Sequence, residues 1–159
     1  MPMPPDILQL VGALRRIGQS LDTHSKTIEA DAGVTLPQLL LLEALHAEPE
    51  PPTAGRLAQR VSLSQGTVTS ILDRLEARGL VRRTRSEADR RRVLVQLTVA
   101  GRSAHAAAPP LLHADFIRGF SMLAADERGR LLDAVDRIAE MMRAAGDPSP
   151  LSQETAQIA

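Results

Sequence analysis

The chain has no cysteine, tryptophan or tyrosine and only two phenylalanines. Without thiols there are no disulfides, thiolate zinc sites, iron–sulfur clusters, cysteine nucleophiles or thiol redox sensors. Long apolar runs are missing as well: no stretch approaches the roughly 18 residues of a membrane span. The opening Met1-Pro2-Met3-Pro4-Pro5-Asp6 lacks the basic and apolar regions of a signal peptide. These absences predict a cytoplasmic protein with no membrane partner. What replaces the missing aromatics is aliphatic, 23 leucines and 23 alanines among 159 residues. Both are good helix formers, while strand-favouring β-branched and aromatic residues are scarce, so a mainly helical domain with one core is expected.

The formal charge is zero, nineteen basic residues against nineteen acidic ones, but the two signs are segregated. Between Thr53 and Leu97 ten arginines face four acids (Asp73, Glu76, Glu87 and Asp89), a local charge of +6 that the rest of the chain offsets with −6. Such asymmetry suits a polyanion-binding middle in an acidic frame. The blander alternative is a solvated basic face.

Hydrophobic periodicity divides the chain. Ile7, Leu10, Val11, Leu14, Ile17, Leu21 and Ile28 recur at steps of three and four, predicting a long helix over 6–30 that Asp31-Ala32-Gly33 ends. Thr35 can cap a second helix, apolar nearly all round at Leu39-Leu40-Leu41-Leu42 and Leu45, and Pro49, Pro51 and Pro52 then break the chain. Thr53 and Ser64 cap two short helices separated by a tight turn. In the second, Val68, Ile71, Leu72 and Leu75 point inward, leaving Gly66, Thr67, Thr69, Ser70, Asp73 and Arg74 on the opposite arc. Gly79 stands where a glycine stops a helix, with Leu80 placed for the accompanying apolar contact. Leu80 to Arg85 and Arg92 to Leu97 are the only strand-like stretches, joined by the polar tip Ser86-Glu87-Ala88-Asp89-Arg90-Arg91. Thr98 caps a further helix that Pro109-Pro110 bends or interrupts, and a last helix from Asp126 carries Leu131, Leu132, Val135, Ile138, Ala139 and Met142 on one face.

Helix, tight turn, helix and basic two-stranded hairpin, in that order, suit duplex DNA. A helix with a small, hydrogen-bonding outer face fits the major groove, where arginines bond guanine or hold phosphates. Gly66 lets the helix backbone approach closely. Readers of single strands and RNA stack bases on aromatics, and this region has none.

The residues Leu57-Ala58, Leu63 to Thr69, Leu72 to Glu76, Gly79 to Arg83, Asp89-Arg90-Arg91, Leu97-Thr98 and Gly101, in this order and spacing, resemble the MarR family of winged helix-turn-helix transcriptional regulators. The resemblance covers roughly Leu8 to Met142. It implies a mainly α fold with a small two- to three-stranded antiparallel wing, the winged helix-turn-helix being embedded in a helical dimerisation frame. The single domain would span 6–142, with a DNA-binding lobe at 53–97, dimerisation helices at 6–30 and 99–145, and a flexible tail at 146–159. Ser64 to Arg78 would be the recognition helix and Arg82 to Leu97 the wing. The implied DNA-binding residues are Ser64, Gln65, Gly66, Thr67, Thr69, Ser70, Arg74, Arg83, Arg85, Arg90, Arg91 and Arg92. Arg91 matches the family's wing-tip arginine, which enters a minor groove, and Asp89 matches the acid that orients nearby arginines. Pro109-Pro110 departs from the family pattern. The family's crevice between dimer frame and DNA-binding lobe often takes small aromatic or anionic effectors, and Arg15, Arg16, His24 and Lys26 on the first helix are the candidates to face it; solvated or salt-bridged residues are the alternative.

Other constellations carry less. His105 and His113 lie about 12 Å apart on an unbroken helix with no further ligand, so surface or packing histidines are expected, and no metal site. Asp133, Asp136 and Glu140 alternate with Arg130 and Arg137, as a solvated helix face does. Asp22, His24 and Ser25 are neighbours on one helix and do not converge as a hydrolytic triad must. Met141 and Met142 are expected to fill a core. With no nucleophile, metal set or phosphate loop in view, the expectation is a cofactor-free, non-enzymatic homodimer that binds a pseudo-palindromic double-stranded operator, a repressor released by a small-molecule effector. The competing expectation is a helical module that binds a small molecule or a protein partner without specific DNA binding.

Overall fold

A computed structural model describes residues 4–146. The chain divides into two compact units, one running through His113 and the other beginning at Ala114.

In the first unit, α1 (Pro5–Ala32) starts with proline in its first turn and ends at Gly33, whose left-handed φ of 64° allows its N–H to close on the Glu29 carbonyl at 2.9 Å. Thr35 and Gln38 form a reciprocal capping box that starts α2 (Leu36–His46). This helix is the centre of the unit: Leu39, Leu41, Leu42, Ala44 and Leu45 are all buried. The prolines end it, and Thr53 caps α3 (Ala54–Arg60). The turn that follows is a Schellman motif with Ser62 in the left-handed position, φ 54°. Ser62 N–H bonds Gln59 O and Leu63 N–H bonds Ala58 O. Ser64 then caps α4 (Gln65–Ala77), which buries Val68, Ile71, Leu72 and Leu75 as their spacing predicts. A second Schellman motif stops α4, with Gly79 at φ 69°, Gly79 N–H on Glu76 O and Leu80 N–H on Leu75 O.

Strands β1 (Val81–Arg85) and β2 (Val93–Leu97) pair antiparallel, in register from Val81 opposite Leu97 to Arg85 opposite Val93. A bridge between Thr53 and Leu94, and Val95 N–H on Pro52 O at 2.8 Å, add the segment before α3 to the sheet edge. Thr98 caps α5 (Val99–Ala107) and also donates from Oγ1 to Gly79 O at 2.6 Å. Gly101 is obligatory here: a Cβ on it would stand 1.9 Å from Leu80 O. Pro109-Pro110 interrupts the helix rather than bending it. Ala108 turns extended (ψ 146°), as residues before proline do, and helix resumes only at Ala114.

The second unit is α6 (Ala114–Met122) and α7 (Ala125–Gly146). Arg128 joins them by donating to the carbonyls of Ser121 and Leu123 at the end of α6. Met141 and Met142, expected to fill a core, are about 60% exposed (61% and 60%), as are Val135 and Phe116 at 59% and 57%. Among the described residues these side chains are left uncovered, as are Ile7, Val11 and Ile17 on α1. The tail expected over 146–159 lies, beyond Gly146, outside the described residues.

Candidate nucleic-acid interface

The inward set of α4 fixes what faces out. With Val68, Ile71, Leu72 and Leu75 held in the core, Gln65, Gly66, Thr67, Thr69, Ser70, Asp73 and Arg74 are all exposed. Ser64, the cap, accepts the Thr67 N–H at 3.1 Å, and its Oγ lies 2.7 Å from Thr67 Oγ1. The Thr67 hydroxyl is therefore shared with the cap, whereas Gln65, Ser70 and Arg74 have no side-chain partner among the described residues. A Cβ at Gly66 would meet nothing within 4 Å, so the fold itself does not demand glycine there.

The hairpin presents Arg85, Arg90, Arg91 and Arg92 exposed. Its tip is built by short-range polar bonds: Ser86 N–H on Arg92 O at 2.9 Å, Arg92 N–H on Asp89 O at 2.9 Å, and Asp89 N–H on Ser86 Oγ at 3.3 Å. Asp89, expected to orient arginine side chains, accepts the backbone N–H of Arg91 at 3.0 Å. It thus shapes the turn from which Arg91 projects.

Arg83 is placed differently from the other expected DNA contacts. Its guanidinium is ion-paired with Asp73 at 2.7 Å and Glu76 at 2.8 Å, its backbone N–H bonds Glu76 Oε1 at 2.9 Å, and Nη2 reaches Thr69 O at 3.4 Å. Burial opposes the charged form of this group, but hydrogen bonds and the charges of Asp73 and Glu76 outweigh it and raise the pKa. Arg83 ties β1 to the outer face of α4 and has little capacity left for phosphate.

Two more cations of the basic segment are spent internally. Glu48, whose side chain is only 4% exposed, pairs with Arg56 at 3.1 Å and Arg60 at 3.0 Å. Nothing in the sequence announces this, since the partners lie eight and twelve residues away across a proline loop. The cations left without an acidic partner among the described residues are Arg74, Arg78, Arg82, Arg85 and the tip arginines 90–92. Of these, Arg78 bonds Gln38 and Arg82 bonds Gln96.

The effector candidates separate. Arg15, Arg16 and Lys26 are exposed on α1. His24 is not: it is 5% exposed, its Nε2 lies 2.7 Å from Pro110 O, and its ring packs 4.3 Å from that of His113. Its helical phase accounts for this, because His24 shares the inward face of α1 with Ile28 at i+4, and the Pro109-Pro110 break brings a carbonyl down onto it. His105 likewise packs, stacked on His46 and bonded to Glu43.

A family model described as MarR family matches residues 32–92. The chain is 34% identical over 125 residues to the HTH-type transcriptional regulator TtmR of Methylorubrum extorquens (strain PA1), an overlap of 79% of this chain and 63% of that protein. It therefore spans less than two thirds of that relative's length. Among solved structures, the transcriptional repressor CouR bound to a 23-mer DNA duplex is 30% identical with a TM-score of 0.64, covering 87% of this chain and 99% of CouR. The PcaV transcriptional regulator from Streptomyces coelicolor, in complex with its natural ligand, is 29% identical with a TM-score of 0.61, covering 88% and 98%.

Proposed function

The chain belongs to the MarR family, and from that premise we propose that it is a homodimeric, sequence-specific double-stranded DNA-binding transcriptional regulator. One observation carries the reading. The outward arc of α4 is polar and exposed, Asp73 alone being tied to the hairpin through its side chain, and it borders a hairpin whose tip arginines have no acidic partner among the described residues. That is the surface a major-groove helix flanked by a minor-groove arginine requires. The DNA-bound CouR relative supports the same reading. Gln65, Gly66, Thr69, Ser70 and Arg74, with Ser64 and Thr67 at the cap, form the base-reading set. Arg85, Arg90, Arg91 and Arg92 hold backbone and minor groove. Arg83 and Asp89 are positioning residues.

The lobe at 53–97 is the DNA-binding part, and the helices at 6–30 and 99–145 are the dimerisation frame. Support comes from the uncovered apolar residues of α1 and α7, which a second copy would bury. A two-fold dimer sets the recognition helices in successive major grooves, giving half-sites about 10–10.5 base pairs apart. Repression by promoter occlusion, released by a small aromatic or anionic effector, is the mode we assign, drawing on the ligand-bound PcaV relative. Arg15 and Arg16 remain the effector candidates on α1. The protein acts in the cytoplasm and carries no enzymatic activity, in keeping with relatives that are transcription regulators.

Selection of bound duplexes from a random pool, combined with sedimentation of the free protein, tests the proposal. Enrichment of a two-fold symmetric motif by a dimer is expected. A micromolar monomer, or a pool that shows no enrichment while a metabolite binds, would favour the small-molecule module instead.

A further inference from the structure

Behind the hairpin, on the side of the sheet that meets the proline loop, lies a cavity of about 620 Å³. Its size falls within the range of small-molecule sites, about 300–1,000 Å³. Leu45, Pro49, Pro51, Leu97 and Val99 give it apolar walls, and proline rings hold part of that wall without flexible side chains. Two guanidiniums also line it, Arg82 from β1 and Arg102 from α5.

Each arginine is anchored by only part of its donor set. Arg82 directs Nε and Nη2 to Gln96 Oε1 at 3.2 and 3.0 Å, leaving Nη1 without a partner among the described residues. Arg102 directs Nη1 to Leu97 O at 3.0 Å, leaving Nε and Nη2. Each is held in place yet retains free donors, and a guanidinium so fixed loses little freedom on binding a planar acid. The cavity's acids are weak competitors. Both carboxylate oxygens of Glu48 are engaged by Arg56 and Arg60, which leaves Glu50, an exposed lining residue whose charge solvent screens. The N-terminal end of α5, at Thr98 and Val99, adds partial positive charge to the same wall.

We propose that this cavity is a binding site for a small organic anion, a carboxylate on a flat apolar body, held by Arg82 and Arg102 and distinct from the Arg15 and Arg16 face of α1. The acid would take the free guanidinium donors while its apolar body lies along the proline and leucine walls. The assignment stands on the free protein and does not depend on operator binding.

The test uses the full chain without DNA, 2-naphthoate as the probe and 2-naphthamide as its uncharged counterpart, followed by nitrogen-15 correlation NMR and calorimetry. Saturable naphthoate binding is expected, moving the Arg82 and Arg102 Nε–H signals and the Val99 amide, with naphthamide binding at least about tenfold more weakly. Loss of a charge-assisted hydrogen bond should make Arg82→Gln and Arg102→Gln each weaken naphthoate about tenfold or more. An Arg118→Gln control, at an exposed arginine that does not line the cavity, should leave it unchanged, and the Arg15→Gln/Arg16→Gln pair should retain the Arg82- and Arg102-dependent binding. Both cavity variants exchange exposed side chains, and an unaltered thermal midpoint confirms that they fold. No saturation by about 50 mM probe, equal affinity for the amide, or binding lost only in the Arg15/Arg16 variant would each overturn the assignment, whatever the outcome with DNA.

Discussion

Arg83 Nη1 lies 2.7 Å from Asp73 Oδ1, so β1 is clasped to the outer face of α4. The side chain is 24% exposed and that of Asp73 61% exposed, so solvent screens the pair and its worth to stability is small, on the order of 0.5–1 kcal/mol. Its geometric consequence is larger, because the same guanidinium also holds Glu76 and sets where the hairpin leaves α4. Arg83→Gln is expected to lower the thermal midpoint by only a few degrees. It should weaken operator binding at least tenfold while leaving the salt slope of binding nearly unchanged, since no phosphate contact is lost. A drop in salt slope by a full contact would make Arg83 a phosphate ligand after all. Ion pairing raises this guanidinium's pKa. Its contribution is thus fully present below the unfolded-state pKa and is lost only as pH rises through the folded one, far above neutrality.

Two glycines make opposite predictions. Gly66 has open space where a Cβ would go, and Gly101 has Leu80 O at 1.9 Å. Gly66→Ala should therefore leave stability equal or raise it by up to about 1 kcal/mol through helix propensity, yet weaken DNA binding by keeping the helix backbone off the groove. Gly101→Ala should destabilise by about 1–3 kcal/mol or more through overpacking against the Leu80 backbone between α4 and β1, with DNA binding falling only as the folded fraction falls. Thermal melts and operator titrations of both variants check this. A Gly66→Ala protein with parental affinity would remove the close-approach argument.

How far these features could be foreseen depended on the range of the interaction. Thr35, Thr53, Ser64 and Thr98 cap helices where local chemistry puts them, and Val68, Ile71, Leu72 and Leu75 are buried as their spacing requires. The clasp of Arg56 and Arg60 by Glu48 was not foreseeable, because eight and twelve residues of chain, three prolines among them, separate the partners. Nor was the burial of His24: its helical phase matches Ile28, but only the path of Pro109-Pro110 decides that a carbonyl meets it. Met141 and Met142 show the reverse error, apolar periodicity that marks a face to be covered without saying whether the cover lies in the same chain.

Ser62 is the one non-glycine residue at positive φ among the described residues, 54°, and no glycine or asparagine marked the position beforehand. A left-handed L-residue costs roughly 1–2 kcal/mol. Ser62→Gly should therefore stabilise the fold by about 0.5–1 kcal/mol, offset in part by added freedom of the unfolded chain. Denaturant unfolding reads the shift directly; destabilisation would mean that the serine side chain contributes more to the turn than its backbone strain removes.

The charge inventory sets the last expectation. The ten arginines between Thr53 and Leu97 overstate the cations free for DNA, because Arg56, Arg60 and Arg83 are already paired with acids, which leaves seven. The salt dependence of operator binding should accordingly reflect the unpaired arginines, with log K falling at about −0.9 per phosphate neutralised. Within that set the tip and the helix should part company. Arg91 projects from a turn fixed by Asp89, so Arg91→Ala should weaken binding to every duplex and lower the slope by about one contact or less. Ser70 and Arg74 stand on the outward arc of α4, so Ser70→Ala or Arg74→Ala should change which base pair is preferred, by roughly 1–3 kcal/mol at the affected position where a base contact is lost. Titrating each variant against the selected operator and its single-base variants at two salt concentrations separates the two signatures. Unchanged affinity in Arg91→Ala together with parental base preference in both helix variants would place the DNA surface elsewhere on the protein.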